Sequence, residues 1–170
     1  YLRAAYASSF IPTGNSFTMN IWVKESTLTN AYLFFYRTAA SANISYIRKL
    51  NTGTTITNVV TNTVPTTFTS NSEIGMYPAM QTNTWYMITL VNDAVAGKLR
   101  TYINGIQSDL TPESFTGTLS KLSDGYVYVG GNGLAPIGYL DEPLISNEAW
   151  TTGMINHVYN SGTYRPYPFN

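Results

Sequence analysis

The chain has 170 residues, which suits one well-buried domain and is short for two. Charged residues make up only 11% and the formal net charge is zero, so there is no electrostatic footprint for nucleic acid or an anionic membrane surface. Cysteine is absent, which excludes disulfide staples and thiolate zinc sites, and no apolar run reaches the roughly 18 residues of a membrane-spanning helix. Thr, Asn, Ser and Tyr take the place of the missing charges, a composition that suits strands and polar loops. It also has the style of an extracellular, cell-surface or virion protein. The chain begins with Tyr1 rather than Met, so it reads as a processed protein or a piece of a longer one.

In chain order, Ser16 to Lys24 alternates Phe17, Met19, Ile21 and Val23 on one face with Thr18, Asn20, Trp22 and Lys24 on the other. Period-two alternation of this kind predicts a half-buried strand. Ala31 to Thr38 is a denser apolar run, expected to be covered on both faces. Asn43 to Leu50 alternates through Ile44, Tyr46 and Arg48. Thr54 to Ser72, with Pro65 in its middle, predicts one or two edge strands and a long polar loop. In Thr84 to Asn92, Trp85, Met87, Thr89 and Val91 face one way and Tyr86, Ile88 and Leu90 the other. A turn through Asp93 and Gly97 leads to Leu99, Thr101 and Ile103, which alternate with Arg100 and Tyr102.

Asn104-Gly105 follows at once, a strong signal for a tight hairpin, because both residues accept positive φ. Tyr126 to Val129 and Ile137 to Ile145 predict two more strands, separated by Gly130, Gly131 and Gly133. That glycine cluster lacks the phosphate-loop pattern. Only Thr152 to Asn160 reads as a helix, with Met154, Ile155, Val158 and Tyr159 on one face. Thr151 or Thr152 caps its start, and Gly162 stands where a left-handed residue is wanted at its end. The segment Tyr164 to Asn170 carries two prolines and reads as an extended tail. Many strands with one late helix predict an all-β, two-sheet antiparallel sandwich forming a single domain over residues 1–170.

The order of these motifs resembles the laminin-G-like jelly-roll domains of the concanavalin A-like lectin/glucanase superfamily. The carrying residues are SFTMNIWVK at 16–24, TWYMITLV at 84–91, LRTYING at 99–105, YVG at 128–130, GYLDEPLIS at 138–146 and INHVYNSG at 155–162. The resemblance implies a jelly roll of two sheets. It says little about ligand, because functions are grafted onto such folds at particular sites. Glucanases of the superfamily carry an alternating ExDxxE-type run on one strand, and this chain has none. Asp141 and Glu142 are adjacent and on a regular strand point to opposite faces, so they do not form an acid/base pair. The lone His157 sits on the helix without a nucleophile or acid in evident reach. The chain therefore reads as non-catalytic.

Laminin-G-like relatives often hold calcium at a loop rim, and the resemblance places Asp141 there. The other reading of Asp141 is a loop-tying hydrogen bond. Aromatic faces stack on sugar rings, which makes Tyr77, Tyr139, Trp150, Tyr164 and Tyr167 the candidate ligand platform. Against that stands packing: Trp22 and Trp85 read as core, and tyrosines cover sheet faces. Asn43-Ile44-Ser45 is a glycosylation sequon. Two functional readings stay open. One is an extracellular or virion-surface binding module for glycans or adhesion. The other is a structural subunit or decoration domain of a virion or filament, acting through protein surfaces in a homo-oligomer or larger assembly.

Overall fold

A computed structural model describes residues 2–5, 16–37, 43–53, 55–60, 67–71, 79–108, 113–114, 126–131 and 134–162. Its strands are β1 (Leu2–Ala5), β2 (Phe17–Thr27), β3 (Ala31–Arg37), β4 (Asn43–Lys49), β5 (Thr55–Val60), β6 (Thr67–Asn71), β7 (Tyr86–Asp93), β8 (Lys98–Ile103), β9 (Ile106–Gln107), β10 (Glu113–Ser114), β11 (Tyr126–Val129) and β12 (Ile137–Ser146). One helix, α1 (Thr152–Tyr159), follows. The strands form two antiparallel sheets. The first runs β1-β11-β3-β4-β5-β6, and the second runs β10-β8-β7-β2-β12 with β9 paired to β8. Among the described residues, no helix is long and apolar enough to cross a membrane.

The alternation in β2 and β7 builds two cores. Phe17, Met19, Ile21 and Val23 join Tyr86, Ile88 and Leu90 between the sheets, facing Leu33, Phe34 and Ile47 of the first sheet. The opposite set, Trp22, Met87, Val91 and Tyr102, packs on the outer face of the second sheet against Trp150 and Ile155. β2 is therefore buried on both faces, because α1 covers its outer side. Trp22 stacks on Tyr159 of α1 with ring centroids 5.9 Å apart. Thr18 ties the approach to the helix: its hydroxyl donates to the Glu148 carbonyl at 2.7 Å and accepts from the Trp150 amide at 3.0 Å.

Helix α1 starts as the sequence implies, with the Thr151 hydroxyl accepting from the Met154 amide. Its left-handed cap is Asn160 (φ 45) rather than Gly162, and Ser161 and Gly162 are left-handed as well. Met154 is exposed, while Ile155 is the buried residue of the helical face.

Asn104 (φ 51) and Gly105 (φ 80) make the expected tight turn between β8 and β9. Asn104 also docks it, accepting from the Met87 amide through its side chain and donating its own amide to the Met87 carbonyl. A Cβ on Gly105 would strike the Asn156 side chain of α1. Gly105→Ala is thus expected to lower stability by about 1–2 kcal/mol or more in thermal denaturation, from positive φ plus collision. Adding Asn156→Ala should return the part due to collision.

Two further sequence expectations need correcting. In β4 the inward residues are Ser45, Ile47 and Lys49, whereas Tyr46 and Arg48 are only half-buried and belong to the other face. The polarity pattern misled because Lys49 is buried with a partner, Glu25 of β2. Its ammonium lies 2.6 Å from the Glu25 carboxylate and donates to the carbonyls of Thr29 (2.7 Å) and Leu50 (3.2 Å). The second correction concerns 54–72: β6 is a sheet edge, but β5 lies inside, between β4 and β6. The short strands β1, β9 and β10 had no clear alternation to announce them.

Candidate functional site

The outward-facing row of the second sheet continues past the helix. Asp141 of β12 is registered opposite Trp22 of β2, and Tyr139 opposite Lys24. Trp85 immediately precedes β7 and extends the outward set of Met87 and Val91. Here, beside the end of α1, lies a pocket of about 390 Å3 lined by Trp22, Trp85, Asp141, Glu142 and Gly162.

The sequence expectation for the two acids is overturned by local backbone. A register shift falls between Asp141 and Leu144, so β12 bulges, and Glu142 is held at φ 47. The bulge breaks the two-residue alternation and lets both acidic residues line one cavity. Asp141 Oδ1 accepts from the Glu142 amide at 2.9 Å, which steadies the left-handed turn. Burial, and secondarily the Asp141 carboxylate, hold the Glu142 carboxyl above its ordinary 4.5. Pro143 was the available sequence signal. Proline inside a strand pattern belongs on an edge or at a bulge, and β12 is both edge and bulged.

Trp85 is the second residue the sequence reading misplaced. It is 40% exposed rather than core, because it precedes the paired part of β7. Trp150 is placed the other way: it is only 9% exposed and packs in the cluster under α1, away from the Trp85 pocket. Tyr139 is 68% exposed on the same outer face but is not among the pocket-lining residues. Tyr77, Tyr164 and Tyr167, with the 164–170 tail, lie outside the described residues, and so does the Asn43 side chain. His157 is exposed on α1 beside an open apolar groove with Leu144, Trp150 and Val158.

Asp141 and Glu142 supply two carboxylates to the pocket lining. Among the described residues no third His, Cys, Asp or Glu joins them, and calcium takes six to eight oxygens. An exposed indole beside two hydrogen-bond acceptors has a different capacity. It stacks on the apolar face of a polyhydroxylated ring while the carboxylates accept from its hydroxyls.

A laminin-G family model, described as the concanavalin A-like lectin/glucanases superfamily, matches residues 1–156. The chain belongs to this superfamily. Solved structures repeat the same sandwich. A SAP-like pentraxin from Limulus polyphemus superposes with TM-score 0.62 at 19% identity, covering 87% of this chain and 71% of that one. The binding domain of botulinum neurotoxin serotype G gives 0.65 at 15% identity, covering 92% of this chain and 39% of that one. Domain 4 of an extracellular arabinanase from Geobacillus stearothermophilus, in complex with arabinotriose, gives 0.56 at 20% identity, covering 85% and 66%. At these identities the likeness is one of fold. No curated protein sequence matches the chain.

The strained acid yields a test of the site. Glu142→Gly is expected to raise stability by about 1 kcal/mol, by relieving a left-handed non-glycine residue and a crowded carboxylate. Thermal denaturation checks this, and a parallel titration should show ligand affinity falling.

Proposed function

We propose that this chain is a non-catalytic, extracellular carbohydrate-binding module and that the Trp85 pocket is its sugar site. The observation that carries the reading is the convergence of an exposed Trp85 with Asp141 and Glu142 at a strained bulge. Backbone strain of this kind persists where surrounding structure holds it, and it clusters at binding sites. Superfamily membership and the arabinotriose-bound neighbour support a saccharide ligand. The absence of any basic side chain among the described lining residues favours neutral sugars over acidic ones. The acids stand side by side on one bulged strand rather than across a cleft, so they suit acceptance from hydroxyls better than attack on a glycosidic bond.

The experiment is a glycan array probed with the full chain, with calcium and with EDTA. Neutral-sugar hits that persist in EDTA are expected. Loss of every hit in EDTA would instead establish a calcium-dependent lectin centred on Asp141. A folded sample with no hits would overturn the reading in favour of a structural subunit working through protein contacts.

Binding should also depend on pH. The Glu142 carboxyl is held above 4.5 in the folded chain, so it takes up a proton as pH falls from neutral toward that value. Its repulsion with Asp141 is then relieved, and this group's contribution to stability rises in that window. The charged acceptor is lost at the same time, so sugar affinity should weaken there. A titration across that range checks both signs.

A further inference from the structure

The outward face of the first sheet carries a second constellation. Tyr126 and Tyr128 of β11, Phe35 and Tyr32 of β3, and Tyr46 of β4 form a continuous run of ring contacts across three strands. Phe35 and Tyr128 are its floor. Their rings are parallel to within 1°, have centroids 4.6 Å apart, and are buried. Tyr32 and Tyr46 stand on this floor at 88° to each other, half-buried, with centroids 5.3 Å apart. Burial, and secondarily Tyr32, keep the Tyr46 hydroxyl above its ordinary 10, so it stays protonated and able to donate.

Arg48 sits directly across the strand pair from Tyr32, its guanidinium carbon 5.4 Å from the ring centroid. Its Nε is buried and has no hydrogen-bond acceptor. The ion pairs among the described residues are Lys49–Glu25 and Arg100–Asp93, and neither involves Arg48. A buried guanidinium N–H without an acceptor is costly, and a ligand carboxylate beside the guanidinium offsets that cost through charge-assisted hydrogen bonds.

We propose that this face is a second binding site, for an acidic sugar residue whose ring packs on Tyr32 and Tyr46 while its carboxylate pairs with Arg48. The site is on the other sheet from the Trp85 pocket and has the opposite charge preference. Asp141 and Glu142 repel an acidic sugar, and Arg48 attracts it.

The test titrates the full chain with methyl glucuronide and, separately, methyl glucoside, following backbone amide shifts by NMR. Glucuronide shifts are expected at β3, β4 and β11, with affinity about tenfold above that of the glucoside at this face, the size of one charge-assisted pairing. Arg48→Gln should abolish that preference, whereas Trp85→Ala should leave it unchanged, which separates this site from the pocket. Arg48→Lys, which keeps the charge and loses the planar fork, should retain part of it and provides the reading if the glutamine variant does not fold. Equal affinity for the two sugars at these strands, or a preference that survives loss of the Arg48 charge, would overturn the proposal.

Discussion

Lys49→Met is expected to destabilise the fold by about 3–5 kcal/mol, read from urea denaturation. The loss would be a large part of a typical stability of about 5–15 kcal/mol. Both charged groups of the pair are nearly inaccessible, with side-chain exposures of 0% for Lys49 and 1% for Glu25. The ammonium donates to two carbonyls and is ion-paired with Glu25 Oε2, a buried oxygen that has no hydrogen-bond donor. Removing it strands Glu25 in the sandwich, where its other oxygen has only a long 3.5 Å contact from the Thr29 hydroxyl. The stranded charge, more than the lost attraction, sets the size of the effect. The double variant Glu25→Met, Lys49→Met should recover most of it, because two well-packed apolar side chains replace a buried pair at little net cost. A double variant as unstable as the single one would show that the pair is needed for its geometry.

The second large effect concerns binding. Trp85→Ala should reduce affinity for a neutral saccharide about five- to hundredfold, since ring stacking is worth about 1–3 kcal/mol in comparable aromatic platforms. Its stability cost should be small, because much of the side chain already faces water. Isothermal titration of the variant against the strongest array hit checks the first part, and thermal denaturation the second. Trp150→Ala makes the contrast. It should cost about 3–5 kcal/mol as a core deletion, without touching the pocket.

The fold was largely legible because β2 and β7 obey a simple rule. Their apolar residues alternate, and both faces of that alternation are used, one between the sheets and one under α1. The Asn104-Gly105 turn was legible because few dipeptides accept two successive positive φ values. β4 was read in inverted phase because the burial of Lys49 depends on Glu25, a partner distant in sequence that no local pattern reveals. The site was harder to read, and for the same kind of reason. Asp141 and Glu142 share a pocket only because β12 leaves regular geometry at the bulge, and alternation assumes regular geometry. Pro143 hinted at that departure. Nothing local told Trp85 from Trp22 or Trp150, since exposure of an indole depends on where the strand pairing begins and where the helix lies.

The chain's three tryptophans allow one direct measurement of the central claim. Indole N–H resonances are assigned by substitution and followed by NMR as a neutral saccharide is added. Large shifts of the Trp85 indole, smaller ones of Trp22 and an unmoved Trp150 are expected. Saturable binding that leaves the Trp85 indole in place, or that moves Trp150 instead, would contradict the assignment of the pocket.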